Sequence, residues 1–168
     1  LNNDEAINAI EVQEINAGKP FASLTTRGLN RETMFHYLAA FAYRHPVLVN
    51  FLRATPALFD LQPVLLDETS GLVDLILPLR SVSIGAGLLT IVALYLFARD
   101  RFGRLTGMLA AVFLAVSPWH LLYSRVGLRA ILAPLFAILT VWLFLRARES
   151  GRLPDHLAWG LAMALGFW

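Results

Sequence analysis

The sequence predicts an all-α membrane protein, and both its composition and its apolar stretches indicate this. Hydrophobic residues make up 57% of the 168 residues and charged residues 15%, whereas charged residues average about 25% in soluble domains. The stretches 81–98, 105–124 and 130–145 contain no charged residue. A helix that crosses a bilayer needs about 20 mostly apolar residues. We therefore expect a bundle of membrane-spanning helices rather than a soluble domain.

The basic residues argue against a nucleic-acid partner. All but Lys19 of the 14 basic residues are Arg, and they lie scattered at the boundaries of the apolar stretches. A nucleic-acid-binding surface would gather them in a patch or stripe. The chain also has no Cys, which excludes disulfides and thiolate metal sites.

The chain divides near residue 80 into two regions of different character. Residues 1–80 are polar and richer in acidic than in basic residues, and they are expected to form an external first loop with amphipathic juxtamembrane helices. Residues 81–168 are hydrophobic and should form transmembrane helices. The expected spans are about 81–98, 105–124, 127–146 and a truncated span from about 156. Because the chain starts without Met and ends in an apolar run, we expect a fragment of a larger membrane protein.

Arginines orient the predicted spans. Two groups of Arg crowd the connections after the first and third spans: Arg99, Arg101 and Arg104, then Arg146, Arg148 and Arg152. An excess of Lys and Arg in short loops marks the cytoplasmic side. The protein is therefore expected to be a multi-pass protein of the cell membrane, with its first loop on the extracytoplasmic side.

The first loop is predicted to hold two helices. The first follows an Asn cap, has Ile7 and Ile10 on its apolar side, and ends at Gly18. Residues 33–59 are apolar but contain Arg and His, so they are interpreted as a helix lying in the membrane interface, with its apolar side towards lipid. Residues 62–74 are interpreted as an external loop.

Two pairs of charged residues are candidates for chemistry at the membrane face. Asp4 and Glu5 form an acidic pair that could supply a general base. Alternatively, they could simply stabilise the start of the helix by interacting with its dipole. Arg125 and Arg129 lie in YSRVGLR and would share one face of a helix if this stretch is helical. Guanidinium groups bind phosphate with two parallel hydrogen bonds. The alternative for these arginines is contact with lipid head groups.

A third pair, Glu32 and His36, lies at the start of the predicted interfacial helix. A Glu and a His four residues apart could ligate a metal, but two ligands are too few for a site. A capping or hydrogen-bonding pair is the alternative. The identity of any metal stays unknown at this point.

The order of these pieces resembles the family 39 glycosyltransferases, membrane enzymes of the GT-C class. They include protein O-mannosyltransferases and the aminoarabinose transferases that modify lipid A. The segments that carry the resemblance are DEAINAIEVQEINAG, NRETMFHYLAAF, LRSVSIGAGLLTIVALYLFARDRFGR and LTGMLAAVFLAVSPWHLLYSR. The resemblance covers most of the chain apart from about residues 54–75, and it implies a GT-C-type multi-span helical bundle.

The resemblance also implies roles for individual residues. Asp4 would act as catalytic base or acceptor-binding group, and Glu5 would complete the acidic pair. The substrate-binding residues would be Glu32, His36, Arg125 and Arg129. The aminoarabinose branch usually has an acidic residue near the position of Arg129, so this Arg is a departure that agrees with phosphate binding.

The expected function is therefore transfer of a sugar from a polyprenyl-phosphate donor to an extracytoplasmic acceptor. The expected partners are the lipid-linked sugar, a protein or lipid acceptor and the bilayer, with a divalent metal left open as cofactor. The alternative is a transporter or flippase subunit for a lipid-linked substrate. A transporter should place ionisable residues at mid-membrane and show broken helices, and the three complete spans contain no such charge.

Overall fold

The computed structural model describes residues 3–18, 34–45, 47 and 70–167, and the regular structure in these residues is helical. The helices are α1 (Asn3–Asn16), α2 (Met34–Arg44), α3 (Ser70–Phe102), α4 (Arg104–Ala115), α5 (Pro118–Arg125), α6 (Leu132–Ser150) and α7 (Leu153–Phe167), with a 3₁₀ turn at Arg129–Ile131. The predicted all-α membrane fold is confirmed.

The chain folds as two compact units. The first comprises Leu1–Ile84 and Tyr123–Arg129, and the second comprises Gly85–Leu122 and Ala130–Trp168. The first unit thus contains α1, α2 and the end of α5, while the second contains α4, α6 and α7. Helices α3 and α5 contribute residues to both.

Helices α1 and α2 pack together through small and apolar side chains. The buried side chains include Ala9, Val12, Phe35 and Ala39. The predicted apolar side of α1 is only partly correct, because Ile10 is 46% exposed while the polar Asn8 is buried. The predicted end of α1 is confirmed, since Gly18 adopts a φ of +75° in the turn that follows the helix, a conformation that favours glycine.

Helix α3 begins at Ser70, well before the predicted start at residue 81. The predicted loop at 62–74 is therefore wrong for its last five positions, while 62–69 lie outside the described residues. The helix continues through Pro78, whose carbonyl accepts a hydrogen bond of 2.7 Å from the Ser81 hydroxyl. Membrane helices tolerate proline, although it lacks the N–H that would donate to the carbonyl four residues earlier. The predicted start at residue 81 is thus too late, because the prediction places Pro78 and Arg80 outside the helix.

Two helical segments are long and apolar enough to cross a membrane, Ile76–Phe102 and Arg129–Ser150. Helices α4 and α5 also qualify as a pair, but they are bent by 60° at a short break. The span predicted at 105–124 is thus broken before Pro118. Proline has no N–H and pushes the preceding residue away from helical geometry. With the bent pair counted as one span, the described residues contain up to three spans.

Helices α6 and α7 form an antiparallel hairpin in the second unit. The rings of Phe144 and Trp159 lie 5.2 Å apart, and a Cβ on Gly166 would lie 2.9 Å from Cβ of Phe136. Helix α7 begins at Leu153, close to the predicted start at 156, and has 15 residues. The aromatic pair and the close approach together hold α7 against α6.

Helices α3 and α4 form a second hairpin in the same unit, and two glycines make it possible. Gly103 turns the chain with a φ of +94°. At Gly107 the two backbones meet, because a Cβ there would lie 2.9 Å from both the Arg99 nitrogen and the Tyr95 oxygen. Small residues allow this kind of backbone approach between membrane helices. A side chain at position 107 would therefore collide with the α3 backbone.

Replacing Gly107 by Ala is expected to destabilise the protein. Overpacking a tight interior costs about 1–3 kcal/mol, so the thermal unfolding midpoint of the detergent-solubilised full-length protein should fall. The matched control is Gly85→Ala in α3, where a Cβ would meet nothing within 4 Å. Equal midpoints for the two variants would contradict the close approach at Gly107.

Candidate functional site

Helix α1 brings the predicted acidic pair into the first unit. Asp4 and Glu5 lie in the first turn of α1, and their side chains are outside the described part of the structure. Residues four and seven positions after Asp4 are Asn8 and Glu11. Helical periodicity places positions i, i+4 and i+7 on one face. Asp4 thus starts a polar face of α1 that continues for two turns.

His36 of α2 lies against this polar face and is completely buried. Its Nε2 is 2.8 Å from Oε2 of Glu11 and 3.1 Å from Oδ1 of Asn8. The predicted partner of His36, Glu32, lies outside the described residues. His36 therefore contacts two polar groups of α1, in an environment closed to solvent.

The side-chain amide of Asn8 joins a third element to this cluster. Its Nδ2 donates a hydrogen bond of 3.0 Å to the carbonyl oxygen of Gly127. Because Nδ2 donates to Gly127, it is Oδ1 that faces His36, and this oxygen must accept a hydrogen bond from the imidazole. Nε2 of His36 therefore carries a hydrogen. The cluster consists of one amide held between an imidazole and a backbone carbonyl.

Gly127 lies in the middle of the arginine loop (residues 125–129). Arg125 ends α5 and is exposed, the Leu128 nitrogen donates to the Val126 oxygen at 2.7 Å, and Arg129 begins the 3₁₀ turn. The two arginines do not share a helix face, which corrects that expectation. The reason is the tight turn between them, which breaks the helix.

Arg129 has a donor suited to an anion. Its Nη1 is buried and has no hydrogen-bond partner among the residues that the structure describes. Buried polar groups are normally hydrogen-bonded, and a guanidinium is a donor only. Because Nη1 has no exposed surface, a phosphate oxygen would satisfy it with a charge-assisted bond only after a local rearrangement of the arginine loop.

The described residues contain no group of three or more His, Cys, Asp or Glu that could hold a metal. Glu11 and His36 supply two such side chains and Glu32 is outside the described part.

The remaining histidines have ordinary structural contacts. His120 is buried, and its Nε2 lies 3.2 Å from the Gly87 oxygen of α3. His156 is exposed, with Nδ1 2.9 Å from the Arg152 oxygen. His45 is exposed and its ring lies 4.3 Å from that of Phe41. None of these contacts involves Asn8, Glu11 or His36.

The predicted arginine groups meet at one end of the second unit. Arg101 of α3 is paired with Glu149 of α6, and Arg146 of α6 lies 3.3 Å from Asp155 of α7. Asp100 also accepts a hydrogen bond of 3.2 Å from the indole of Trp142. The ends of α3 and α6 that carry the two arginine groups are therefore neighbours. This is the arrangement expected if both groups lie on the same side of the membrane.

Comparison with protein families matches residues 72–168, more than half of the chain, to the family described as dolichyl-phosphate-mannose-protein mannosyltransferase. The chain belongs to this family. It is thus a membrane glycosyltransferase of the mannosyltransferase type, a class that works at a bilayer with a lipid-linked sugar donor. No curated protein and no solved structure gives a significant match.

The match to the mannosyltransferase family begins in α3 and includes the arginine loop, but it excludes α1 and α2. The sequence resemblance reached further, to Asp4, Glu5, Glu32 and His36. The catalytic and substrate-binding assignments of these residues therefore stay predictions. Within the matched region, Arg125 and Arg129 are the predicted site residues.

Sequence reasoning missed Asn8 and Glu11, both of which lie against Nε2 of His36. Their spacing from Asp4 was only a weak signal, because positions i, i+4 and i+7 share a helix face but α1 also carries polar residues on its other faces. The contact with Gly127 had no local signal, since 119 positions separate it from Asn8.

Replacing His36 by Ala is expected to destabilise the mannosyltransferase. The variant leaves a cavity and deprives Oδ1 of Asn8 of its donor, and a buried group without a partner costs about 1–3 kcal/mol. The control is His45→Ala, because His45 is exposed and surface substitutions usually change stability by less than about 0.5 kcal/mol. The thermal unfolding midpoints of the two variants are measured in detergent. A midpoint for His36→Ala that is no lower than that for His45→Ala would contradict the buried contact.

Proposed function

We propose that the full-length protein transfers a sugar from a polyprenyl-phosphate carrier to a hydroxyl group of a protein or lipid acceptor. The observation that carries the proposal is the hydrogen bond from Asn8 to Gly127, 3.0 Å long. It connects the helix that bears Asp4 with the loop that bears Arg125 and Arg129. A base for the acceptor and cations for the phosphate thus belong to one compact unit of a mannosyltransferase family member.

The reaction needs few chemical groups, because the donor is already activated. The acceptor oxygen attacks C1 of the sugar while Asp4 takes the hydroxyl proton. The bond between C1 and the phosphate oxygen breaks, and the polyprenyl phosphate leaves with the bonding electrons. Attack opposite to the leaving group inverts the configuration at C1. Glu5, next to Asp4, adds negative charge that favours proton uptake.

The arginine loop serves the leaving group. Negative charge on the phosphate grows as the bond to C1 breaks, and groups aimed at developing charge stabilise a transition state more than a ground state. The Nη1 of Arg129, which is buried and has no partner among the described residues, would be such a donor once the arginine loop rearranged to expose it. Arg125 is exposed and would meet the phosphate or lipid head group from the solvent side.

The proposal places this chemistry on the extracytoplasmic face of a multi-pass protein. Its support is the charge distribution, because the arginine groups at the ends of α3 and α6 mark the opposite, cytoplasmic side. The ion pair between Arg101 and Glu149 brings those two ends together. The first loop and the arginine loop then lie on the other side.

The break between α4 and α5 is the one observation that also suits a transporter, since transporters often use discontinuous helices. Membership of a mannosyltransferase family favours the transferase. A donor assay separates the two functions, because a transporter moves the labelled lipid across the bilayer without cleaving its sugar.

Asp4→Asn in the full-length protein is expected to abolish most sugar transfer, because an amide cannot accept the acceptor proton. The loss of a general base lowers rates by about 100- to 10,000-fold. Membranes with equal amounts of protein are incubated with a radiolabelled polyprenyl-phosphate sugar, and label in the acceptor fraction is counted.

The matched control for this assay is Glu14→Gln, which makes the same chemical change ten residues further along α1, about 15 Å away. Its transfer should equal that of the wild type. Full activity of Asp4→Asn would exclude Asp4 as the base but would leave the proposed glycosyltransferase function standing. Intact labelled lipid that crosses the bilayer, with no transfer by the wild type, would support the transporter.

Arg129→Lys is expected to lower kcat more than it raises the KM for the lipid donor. Lysine keeps the charge but loses the planar pair of donors that matches a phosphate. The loss of one charge-assisted hydrogen bond corresponds to about 1.5–3 kcal/mol, or a tenfold or larger fall in kcat/KM.

Arg148→Lys is the control for that experiment, because Arg148 is exposed at the far end of α6. Initial rates at varied donor concentration give both constants. An Arg129→Lys variant with wild-type kcat and KM would exclude Arg129 from phosphate binding.

A further inference from the structure

The buried amide of Asn8 has a second consequence, which concerns the arginine loop rather than the base. Only 2% of Asn8 is exposed, and both ends of its amide are occupied, by Gly127 and by His36. An amide with both ends engaged cannot rotate without breaking a buried hydrogen bond, and such a break costs free energy. The position of the Gly127 carbonyl relative to α1 is therefore fixed by this side chain.

The imidazole of His36 fixes the amide in turn. Its Nε2 contacts both Asn8 and Glu11, and the ring is fully buried. Oε2 of Glu11 lies 2.8 Å from the same nitrogen, and the ring hydrogen on Nε2 selects the oxygen end of the Asn8 amide. The chain of contacts runs from Glu11 through His36 and Asn8 to the carbonyl of Gly127.

We propose that Asn8 is a positioning residue, which acts through Gly127 to set where Arg125 and Arg129 lie relative to the acidic start of α1, and that His36 positions the Asn8 amide. This inference rests on the proposed function of the arginine loop as a phosphate site. It reassigns His36 from substrate contact to support, because a ring with no exposed surface cannot meet a substrate without rearrangement of the protein.

Asn8→Asp tests the link with little change of shape. The carboxylate keeps an oxygen acceptor for His36, but it replaces the donor to Gly127 with a second oxygen, which the carbonyl repels. The matched control is Asn16→Ala on the same helix. It removes the hydrogen bond of 3.2 Å between Asn16 Oδ1 and Arg44 Nε, which joins α1 and α2 far from the loop.

The first measurement is amide hydrogen exchange in the full-length protein in detergent, which needs no activity. Exchange in residues 123–129 should become faster in Asn8→Asp and stay unchanged in Asn16→Ala. Unchanged exchange in Asn8→Asp would overturn the proposed link, whatever the protein catalyses. Equal acceleration in both variants would also overturn it, because it would show general loosening of α1.

The second measurement is sugar transfer from a labelled polyprenyl-phosphate donor. Asn8→Asp should lower kcat/KM about tenfold or more, the size expected when a buried hydrogen bond becomes a repulsive contact. In an Arg129→Ala background the same change should have little further effect, because residues that act through one another are non-additive. A purely structural role would lower the amount of folded protein and would give additive effects.

Rescue by a conservative variant completes the test. His36→Gln keeps an N–H donor for Asn8 Oδ1 and should restore part of the transfer that His36→Ala loses. Failure of rescue, with normal folding, would exclude His36 as the support of Asn8. Absence of transfer by the wild type with every polyprenyl-phosphate sugar would instead refute the proposed function, while hydrogen exchange would still decide the link.

Discussion

The first unit depends on one buried amide that must satisfy a donor and an acceptor at the same time. The two partners of Asn8 lie 28 and 119 positions away along the chain. Each is itself held by its own helix or turn. Because an unsatisfied buried amide is costly, α1, α2 and the arginine loop are each most stable when the other two are in place. A single side chain thereby unites segments that the sequence keeps far apart.

Most of the fold could be predicted from the sequence, because uncharged apolar stretches long enough to span a bilayer have few alternatives to a helix. The errors have local causes. The start of α3 is predicted at residue 81 because Pro78 and Arg80 resemble a helix boundary. The helix begins at Ser70 instead, because a membrane helix tolerates both residues. The apolar stretch at 105–124 is predicted as one span because hydropathy does not detect the missing backbone donor of Pro118. The structure shows a break there.

The candidate site was less predictable, for a different physical reason. Arg125 and Arg129 stood out because they interrupt a long uncharged region. Their geometry did not follow from spacing, because the turn at Gly127 separates them. His36 was singled out with Glu32 as its neighbour in sequence, whereas the structure places its Nε2 against Asn8 and Glu11 of α1. Contacts between helices depend on packing, which no local spacing contains.

In the hairpin of α3 and α4, the backbones of the two helices approach each other closely at Gly107. Several large side chains of α4 are exposed among the described residues: Leu105, Met108, Leu109, Val112 and Phe113. Because these side chains do not form that contact, they can change in length and shape without disturbing it. Sequence variation is therefore expected to concentrate at these exposed positions of α4, whereas position 107 is restricted to glycine by the nearby backbone of α3.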